Sequence, residues 1–137
     1  MMNTWLYPAN IKFYDVLSAM KKPTAYWPMK SKVEKGDLVY MYLAAPYKQI
    51  AYRAKVTEVE MDEALVKDHV YPYLKGKPEK GKKLTFMRLN KIERFELSEN
   101  SDLALEKLKT QGLKGMLMGP RNLDNNPKLL KYIEDKS

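Results

Sequence analysis

The run LVYMYL at residues 38–43, followed after a turn by IAYRAKVTE at residues 50–58, decides the fold of this chain. The first run is apolar or aromatic throughout, which is typical of a buried strand. In the second run apolar and polar residues alternate, which is typical of a strand with one face inside and one outside. The apolar alternation then shifts to Val59 and Met61. We expect a bulge or bend there, of the kind that curves a sheet.

Shorter patterns on both sides predict the remaining elements. Before the central strands they predict a strand at residues 3–8 stopped by Pro8, a helix capped by Asn10 with apolar residues 13, 16, 17 and 20 on one face, and an aromatic loop between Pro23 and Gly36. After them they predict a helical or irregular piece at 62–74, a basic loop at 75–83, and one long or two short strands at 84–97 broken near Asn90. The last predicted elements are a helix from Ser101 to Lys109 closed by Gly112, a strand at 115–121, and a helix opened by Asn126 and Pro127. This order lacks the strict alternation of a parallel α/β fold. It predicts an α+β protein in which helices flank a small curved sheet or barrel.

Length and composition fit one globular domain. The chain has 137 residues, of which 45% are hydrophobic and 31% charged, and domains cluster around ~100–150 residues. No apolar run approaches the ~20 residues that span a bilayer, and residues 1–10 lack the basic start and long apolar core of a signal peptide. We therefore expect a single domain over residues 1–137 that is cytoplasmic and has no membrane partner.

Residue counts argue against most catalytic chemistries. The chain has no cysteine and one histidine, His69, which removes thiolate nucleophiles and the common zinc sites. Its serines stand outside any nucleophile motif, and no glycine-rich phosphate loop occurs. We expect a binding module without metal or cofactor and not an enzyme. Two alternatives stay open: a small RNA-processing or hydrolytic enzyme that uses His69 or Tyr/Lys pairs as acid and base, and a protein-interaction module.

The charge is unevenly distributed along the chain. The total is +8, with +6 in residues 1–56, −4 in residues 57–74, +6 in residues 75–94 and zero in residues 95–137. Two basic blocks separated by an acidic stretch suit a surface that faces a polyanion, provided that the fold brings the blocks together. The alternative is that lysine-rich loops only keep the domain soluble.

Tyrosine and tryptophan are abundant, with ten and two copies against three phenylalanines. Both side chains combine a ring that stacks with a polar group, and aromatic residues among lysines are typical of surfaces that stack bases and bind phosphates. Tyr26, Trp27 and Tyr47 fall in predicted loops and are candidates for base contacts. The aromatic residues of predicted strands are expected in the core: Trp5, Tyr40, Tyr42 and Tyr52.

Three polar residues are candidates for further contacts. Asn10 could hydrogen-bond a base, although a helix cap also explains it. Lys30 could meet a phosphate, although it could equally be a solvated lysine. Arg121 follows Gly119 and Pro120, and a guanidinium after a turn with free amides suits an anion. Arg121 could also pair with a carboxylate of the protein.

The order of these motifs resembles the EVE domain family. The motifs are TWLYPAN at 4–10, FYDVLSAM at 13–20, an aromatic loop that carries Trp27, KVEKGDLVYMY at 32–42 and IAYRAKVTEVE at 50–60. The family's K-x-G-D turn is matched by Lys35-Gly36-Asp37 without its spacer, and the ending GMLMGPRNLDNNPKLLKYI is a variant one.

The resemblance implies a PUA-like β-barrel with flanking helices, related to the YTH domains. It also implies a nucleic-acid partner, DNA or RNA, from which a flipped modified base such as 5-methylcytosine or methylated adenine enters an aromatic pocket. By position, Trp27 would stack on the base while Tyr7 and Asn10 line the pocket, so that Trp27→Ala would abolish binding and leave stability unchanged. The other candidates rest on this sequence alone: Tyr26 and Tyr47 for the base, and Lys30 and Arg121 for phosphate.

Overall fold

The computed structural model describes residues 3–10, 14–29, 31–73, 85–98, 100–115, 117 and 119–137. Its strands are β1 (Thr4–Ala9), β2 (Thr24–Pro28), β3 (Leu38–Leu43), β4 (Gln49–Asp62), β5 (Thr85–Arg94) and β6 (Arg121–Asn122). Its helices are α1 (Val16–Ala19), α2 (Glu63–Val70), α3 (Leu105–Thr110) and α4 (Pro127–Lys136), with short 3-10 helices at Tyr71–Tyr73 and Leu123–Asn125. No helix within these ranges is long and apolar enough to cross a membrane.

The strands form one mixed sheet in the order β2-β5-β4-β3-β1-β6. β1 and β3 run parallel, and the other neighbours are antiparallel. The two central strands occupy the segments that the sequence predicts. β4 continues past Val56 to Asp62 by shifting its register against β5 between Val56 and Glu58 and again between Glu58 and Met61. The predicted bend is confirmed, and the shifts curve this end of the sheet.

Each face of the sheet has its own apolar core. The side chains of β3 show the reason, because successive residues of a strand point to opposite faces of the sheet. Val39, Met41 and Leu43 belong to the first core, which includes residues of α1 and α2. Tyr40 and Tyr42 belong to the second core, which includes residues of α3 and α4. Tyr52 is also buried, and Trp5 is half-buried at the margin of the first core.

The sheet is strongly curved, but it is not closed into a barrel within the described residues. Its two edge strands, β2 and β6, do not pair with each other. Tyr7 of β1 and Trp27 of β2 nevertheless lie in the same core although three strands separate β1 from β2. The expected α+β architecture, a curved sheet flanked by helices, is therefore found, whereas the closed barrel expected from the sequence is not found within the described residues. β6 has only two residues, which is too little edge to close the sheet.

Two predictions for the amino-terminal third are wrong. The helix begins at Val16, because the Asp15 carboxylate accepts a hydrogen bond from the Ser18 N–H at 3.3 Å and caps it, so Asn10 is not its N-cap. The segment 24–28 is strand β2 and not part of a loop. Its alternation was hidden because the strand has five residues with a proline at its end. Residues 11–13 lie outside the described part.

Later elements follow the sequence more closely. Thr85–Arg94 is one strand in which Asn90 pairs with both Lys55 and Thr24, so the alternative of one long strand is confirmed and that of two strands broken near Asn90 is not. Asn126 caps the last helix as predicted, by accepting from the Leu129 N–H at 3.4 Å. α3 begins at Leu105 and not after Ser101, whose hydroxyl accepts from the Leu103 N–H in a turn. Among the described residues of the strand predicted at 115–121, only Arg121 lies in a strand, and the basic loop 75–83 lies outside the described residues.

Candidate nucleic-acid interface

Trp27 is a core residue. Its side chain is 6% exposed, and its ring meets the Tyr14 ring edge-on with centroids 4.7 Å apart. Such edge-to-face pairs are favourable packing contacts. Because one side of β2 faces the first core, Ala25 and Trp27 are buried while their neighbours are partly exposed. Placing Trp27 in an accessible loop, as the sequence suggested, was therefore wrong.

Tyr26 points elsewhere and stacks on His69 of α2. The ring centroids are 4.7 Å apart and the planes are inclined by 24°. The adjacent cavity, which Tyr14 and Tyr73 also line, has a volume of about 20 Å³, enough for about one water molecule. His69 is exposed, and within the described ranges no three His, Cys, Asp or Glu side chains are grouped to hold a metal ion. This cluster offers too little room for a base.

Tyr7 connects the first core to the segment after β2. It is 1% exposed, and its hydroxyl shares a hydrogen bond with the Ser31 hydroxyl. Ser31 lines the cavity of about 480 Å³ described below. Tyr7 therefore holds one wall of that cavity from beneath, while its own ring is buried.

Asn10 and Tyr47 follow the carboxyl ends of β1 and β3. Because these strands are parallel and in register, Ala9 lies beside Leu43, and the Ala44 N–H donates to the Ala9 carbonyl at 3.0 Å. Asn10 follows Ala9 and is exposed, whereas Tyr47 is half-buried in the turn after β3. Neither residue lines a described cavity.

The structure describes one of the two phosphate candidates, because Lys30 lies outside the described residues. Arg121 is half-buried in β6, where its Nη1 donates to the Lys114 carbonyl at 2.6 Å. β6 and β2 are opposite edges of the six-stranded sheet. Arg121 lines neither of the two cavities described in this section.

The large cavity lies where β2, β4 and β5 end. Its volume is about 480 Å³, and its lining combines apolar, hydroxyl and charged side chains: Met29, Ser31, Lys32, Val33, Glu34, Glu60 and Thr85. Small-molecule sites typically have volumes of ~300–1,000 Å³ and such a mixed lining. No sequence pattern marks these residues as a binding site, although Lys32, Val33 and Glu34 begin the motif at 32–42. The one available signal was position, because residues 31–34 follow the aromatic segment directly.

Glu60 has an unusual backbone conformation in this wall. Its φ is +52°, in the left-handed region, within a strand whose register against β5 shifts at this point. A residue other than glycine pays about 1–2 kcal/mol there. The Glu60 N–H donates to the Met29 sulfur at 3.1 Å, so the bulge is tied to the end of β2. Strained residues of this kind cluster at ligand sites, and no sequence pattern marks this one.

The turn Lys35-Gly36-Asp37 fixes the other wall. Asp37 is fully buried, and its carboxylate accepts from the Asn3 N–H, the Trp5 indole N–H and the Glu34 N–H at 2.9–3.0 Å. Gly36 has a φ of +94°, which favours glycine. The motif that carried much of the family resemblance is therefore a structural clamp that positions Glu34 beside the cavity.

The fold also brings the two basic blocks together. The first basic block, residues 1–56, ends within β4, and the second, residues 75–94, ends with β5. These two strands are neighbours in the sheet. Their pairing places Arg53 beside Glu93, Lys55 beside Asn90 and Glu58 beside Arg88. The fold therefore brings the two basic blocks together where β4 pairs with β5, as a surface that faces a polyanion requires. Both basic blocks contribute to one sheet surface.

Solved structures similar to this chain cover nearly its whole length. A hypothetical protein from Leishmania major is 19% identical with a TM-score of 0.66, and the match covers 98% of this chain and 94% of that one. The ASCH protein from Zymomonas mobilis is 12% identical with a TM-score of 0.63, covering 98% and 96%. Human THYN1, in complex with 5-methylcytosine-containing DNA, is 12% identical with a TM-score of 0.61, covering 97% and 96%.

Neither a protein-family model nor a curated protein sequence matches the chain. At 12–19% identity, the similarity to these three structures shows a common fold. The chain has the PUA-like α+β fold of these structures, so its resemblance to the EVE domains is confirmed at the level of the fold.

Proposed function

We propose that this protein is a nucleic-acid-binding domain that accepts one extruded, modified base in the 480 Å³ cavity beside β2. The observation that carries the proposal is this cavity, with its mixed lining and strained wall, at one end of a sheet whose neighbouring strands are basic. The protein binds its target without catalysing a reaction. Base entry is assigned here and not to Trp27, because Trp27 is buried.

The energetics of base extrusion suit such a cavity. Removing a base from its stack costs a few kcal/mol, which contacts within a pocket must offset. Met29 and Val33 supply apolar surface, and Ser31 and Thr85 supply hydroxyls. None of the described lining residues is aromatic, so the aromatic pocket expected from the sequence is not found at this cavity. Hydrogen bonds to the base edge, worth ~1–3 kcal/mol for a bidentate pair, and apolar contacts must supply the offset.

Two carboxylates give the cavity a chemical preference. Glu34 and Glu60 both line it, and a carboxylate accepts hydrogen bonds from the exocyclic amino group of cytosine. Lys32 lines the cavity as well, so the three charged side chains of the lining sum to −1. This net negative charge disfavours a phosphate group relative to a neutral base. An amino-bearing base with a methyl group, such as 5-methylcytosine, uses both the carboxylates and the apolar wall.

The shared fold supports this proposal. THYN1, with a TM-score of 0.61 over 97% of this chain, is bound to DNA that contains 5-methylcytosine. We extend that ligand class to this chain as part of the proposal. Tyr7 then acts as a positioning residue, because its hydroxyl holds Ser31 in the cavity wall.

The test is a titration of labelled DNA followed by fluorescence anisotropy. The oligonucleotides differ by a single 5-methylcytosine, and each is used single-stranded and as a duplex. Glu34→Tyr fills part of the cavity from an exposed position, and Glu134→Tyr on α4 removes the same charge far from it. We expect wild type and Glu134→Tyr to prefer the methylated DNA by about 4- to 10-fold, as one buried methyl group predicts.

Glu34→Tyr is expected to lose this preference while its melting temperature stays that of Glu134→Tyr. Equal affinity of Glu34→Tyr and wild type for the methylated DNA would remove the cavity from the proposal. Absence of binding by wild type to DNA and to RNA of the same sequence would overturn the proposed function itself.

A further inference from the structure

The sheet surface formed by β4 and β5 outside the two cores is the strongest unassigned feature of the molecule. α1 and α2 pack on the other face, with the first core, and α3 and α4 pack with the second core over β1 and β3. Lys55 and Asn90 are exposed, and Ile92 is 49% exposed. This part of the sheet therefore presents side chains to solvent in the described chain.

Cations dominate this surface. We name it the basic face and define it by Lys35, Arg53, Lys55 and Arg88. Lys35 pairs with Glu58 at 3.0 Å, and Arg53 pairs with Glu93 at 3.4 Å. Four cations against two carboxylates leave a net charge of +2, and no ion pair of the described residues involves Lys55 or Arg88.

Two of the guanidinium groups are held in place. The Thr57 hydroxyl accepts from the Arg88 Nε at 2.9 Å and donates to the Arg88 carbonyl at 3.3 Å, which restricts the side chain of Arg88. Arg53 keeps its pair with Glu93, while its buried Nε has no acceptor among the described residues. A positioned guanidinium loses less freedom when it binds a phosphate than a mobile one.

The basic face and the cavity share the strands β4 and β5. Glu58 stands two residues before Glu60 in β4, and Arg88 stands three residues after Thr85 in β5, while Glu60 and Thr85 both line the cavity. At ~3.3 Å per residue, Arg88 therefore lies about 10 Å along β5 from the cavity wall. Lys55 and Arg53 lie further from the cavity along β4.

We propose that the basic face binds the phosphodiester backbone of the strand whose base occupies the cavity, with Lys55 and Arg88 as the phosphate ligands. This inference rests on the proposed function and adds the path of the bound strand to it. A polyanion is the partner that the charge fits, because the face keeps a net charge of +2 and Lys55 is exposed without an ion pair, while Arg88, which lies beside Glu58, forms none among the described residues.

The test measures how the binding constant depends on salt. Wild type and the double variant Lys55→Gln/Arg88→Gln are titrated with methylated DNA at about 50 to 200 mM salt. The control, Lys128→Gln/Lys131→Gln, removes the same charge from exposed positions of α4. Lys55→Arg tests whether charge alone suffices, and melting temperatures show whether each variant is folded.

For the Lys55/Arg88 variant we expect the slope of log K against log salt concentration to become shallower by about 1.4–1.8, since each phosphate contact contributes ~0.7–0.9. The preference for methylated DNA should remain, because the cavity is intact. Lys55→Arg and the α4 control should keep the wild-type slope. A Lys55/Arg88 slope equal to that of the control would overturn the inference and leave the proposed function standing. Wild type that binds no oligonucleotide would overturn both.

Discussion

Replacing Trp27 by alanine tests whether this residue belongs to the core or to a ligand surface. The side chain is 6% exposed, so nearly all of the ~150–250 Å² of a tryptophan is removed from water on folding. At about 25 cal/mol per Å² this burial contributes roughly 4–6 kcal/mol. The edge contact with Tyr14 at 4.7 Å adds about 0.5–1.5 kcal/mol.

The expected loss agrees with the ~3–5 kcal/mol measured for Trp→Ala in cores, and it is a large part of a total stability of ~5–15 kcal/mol. Urea denaturation followed by circular dichroism measures it. With a slope of ~2 kcal/mol/M the midpoint should fall by about 2 M. Trp27→Phe keeps a ring against Tyr14 and should lose less. An alanine variant with the wild-type midpoint and no oligonucleotide binding would refute the core assignment and return Trp27 to the binding surface.

Other substitutions test the walls of the cavity and the buried tyrosines. Asp37→Ala leaves three N–H donors without their acceptor and should cost about 3 kcal/mol or more in urea denaturation; a loss below that of a surface alanine variant would argue against the clamp. Gly36→Ala should cost about 1–2 kcal/mol from backbone strain alone, because the added Cβ meets nothing within 4 Å; calorimetry measures this loss, and an unchanged melting temperature would contradict the strain. Glu60→Asn should leave the stability of the protein unchanged, because asparagine adopts the left-handed conformation, whereas Glu60→Val should lower it by about 1–2 kcal/mol. Equal melting temperatures of the two variants would show that the backbone of residue 60 stores no strain. Burial raises the pKa of Tyr14 above its ordinary value of 10.0, so the native state holds its proton more tightly than the unfolded state and stability must fall as pH rises above 10.0. Tyrosinate absorbance should then increase together with unfolding, and in Tyr14→Phe this alkaline loss should be smaller.

The sheet was predictable to the extent that its strands carry long periodic patterns. β3 and β4 were found because six residues and fourteen residues give a clear signal. β2 was missed because five residues with a terminal proline leave too few positions to show alternation. The last helix was placed correctly by its asparagine cap and following proline, since these residues act locally. Closure of a barrel is decided by edge strands, and the edge strand β6 has only two residues.

The site was less predictable because its residues share no local pattern. Tyr26 and Trp27 are adjacent in sequence, yet one stacks on α2 and the other packs in the core. Glu60 and Met29 meet only because β4 changes register near its end. The charge pattern predicted the basic surface better, because each of the two basic blocks includes part of a strand and these two strands pair in the sheet. It could not show which of these lysines and arginines lie on the same face.

Extrusion of a base is the central claim, and a fluorescent base analogue reports it directly. In a duplex with 2-aminopurine directly next to the 5-methylcytosine in the same strand, the probe becomes brighter when the methylated base leaves the stack, because 2-aminopurine then loses a stacking neighbour. We predict that fluorescence rises on binding of wild type and of Glu134→Tyr, and that it stays low with Glu34→Tyr. Saturated binding by wild type without any rise in fluorescence would contradict the account.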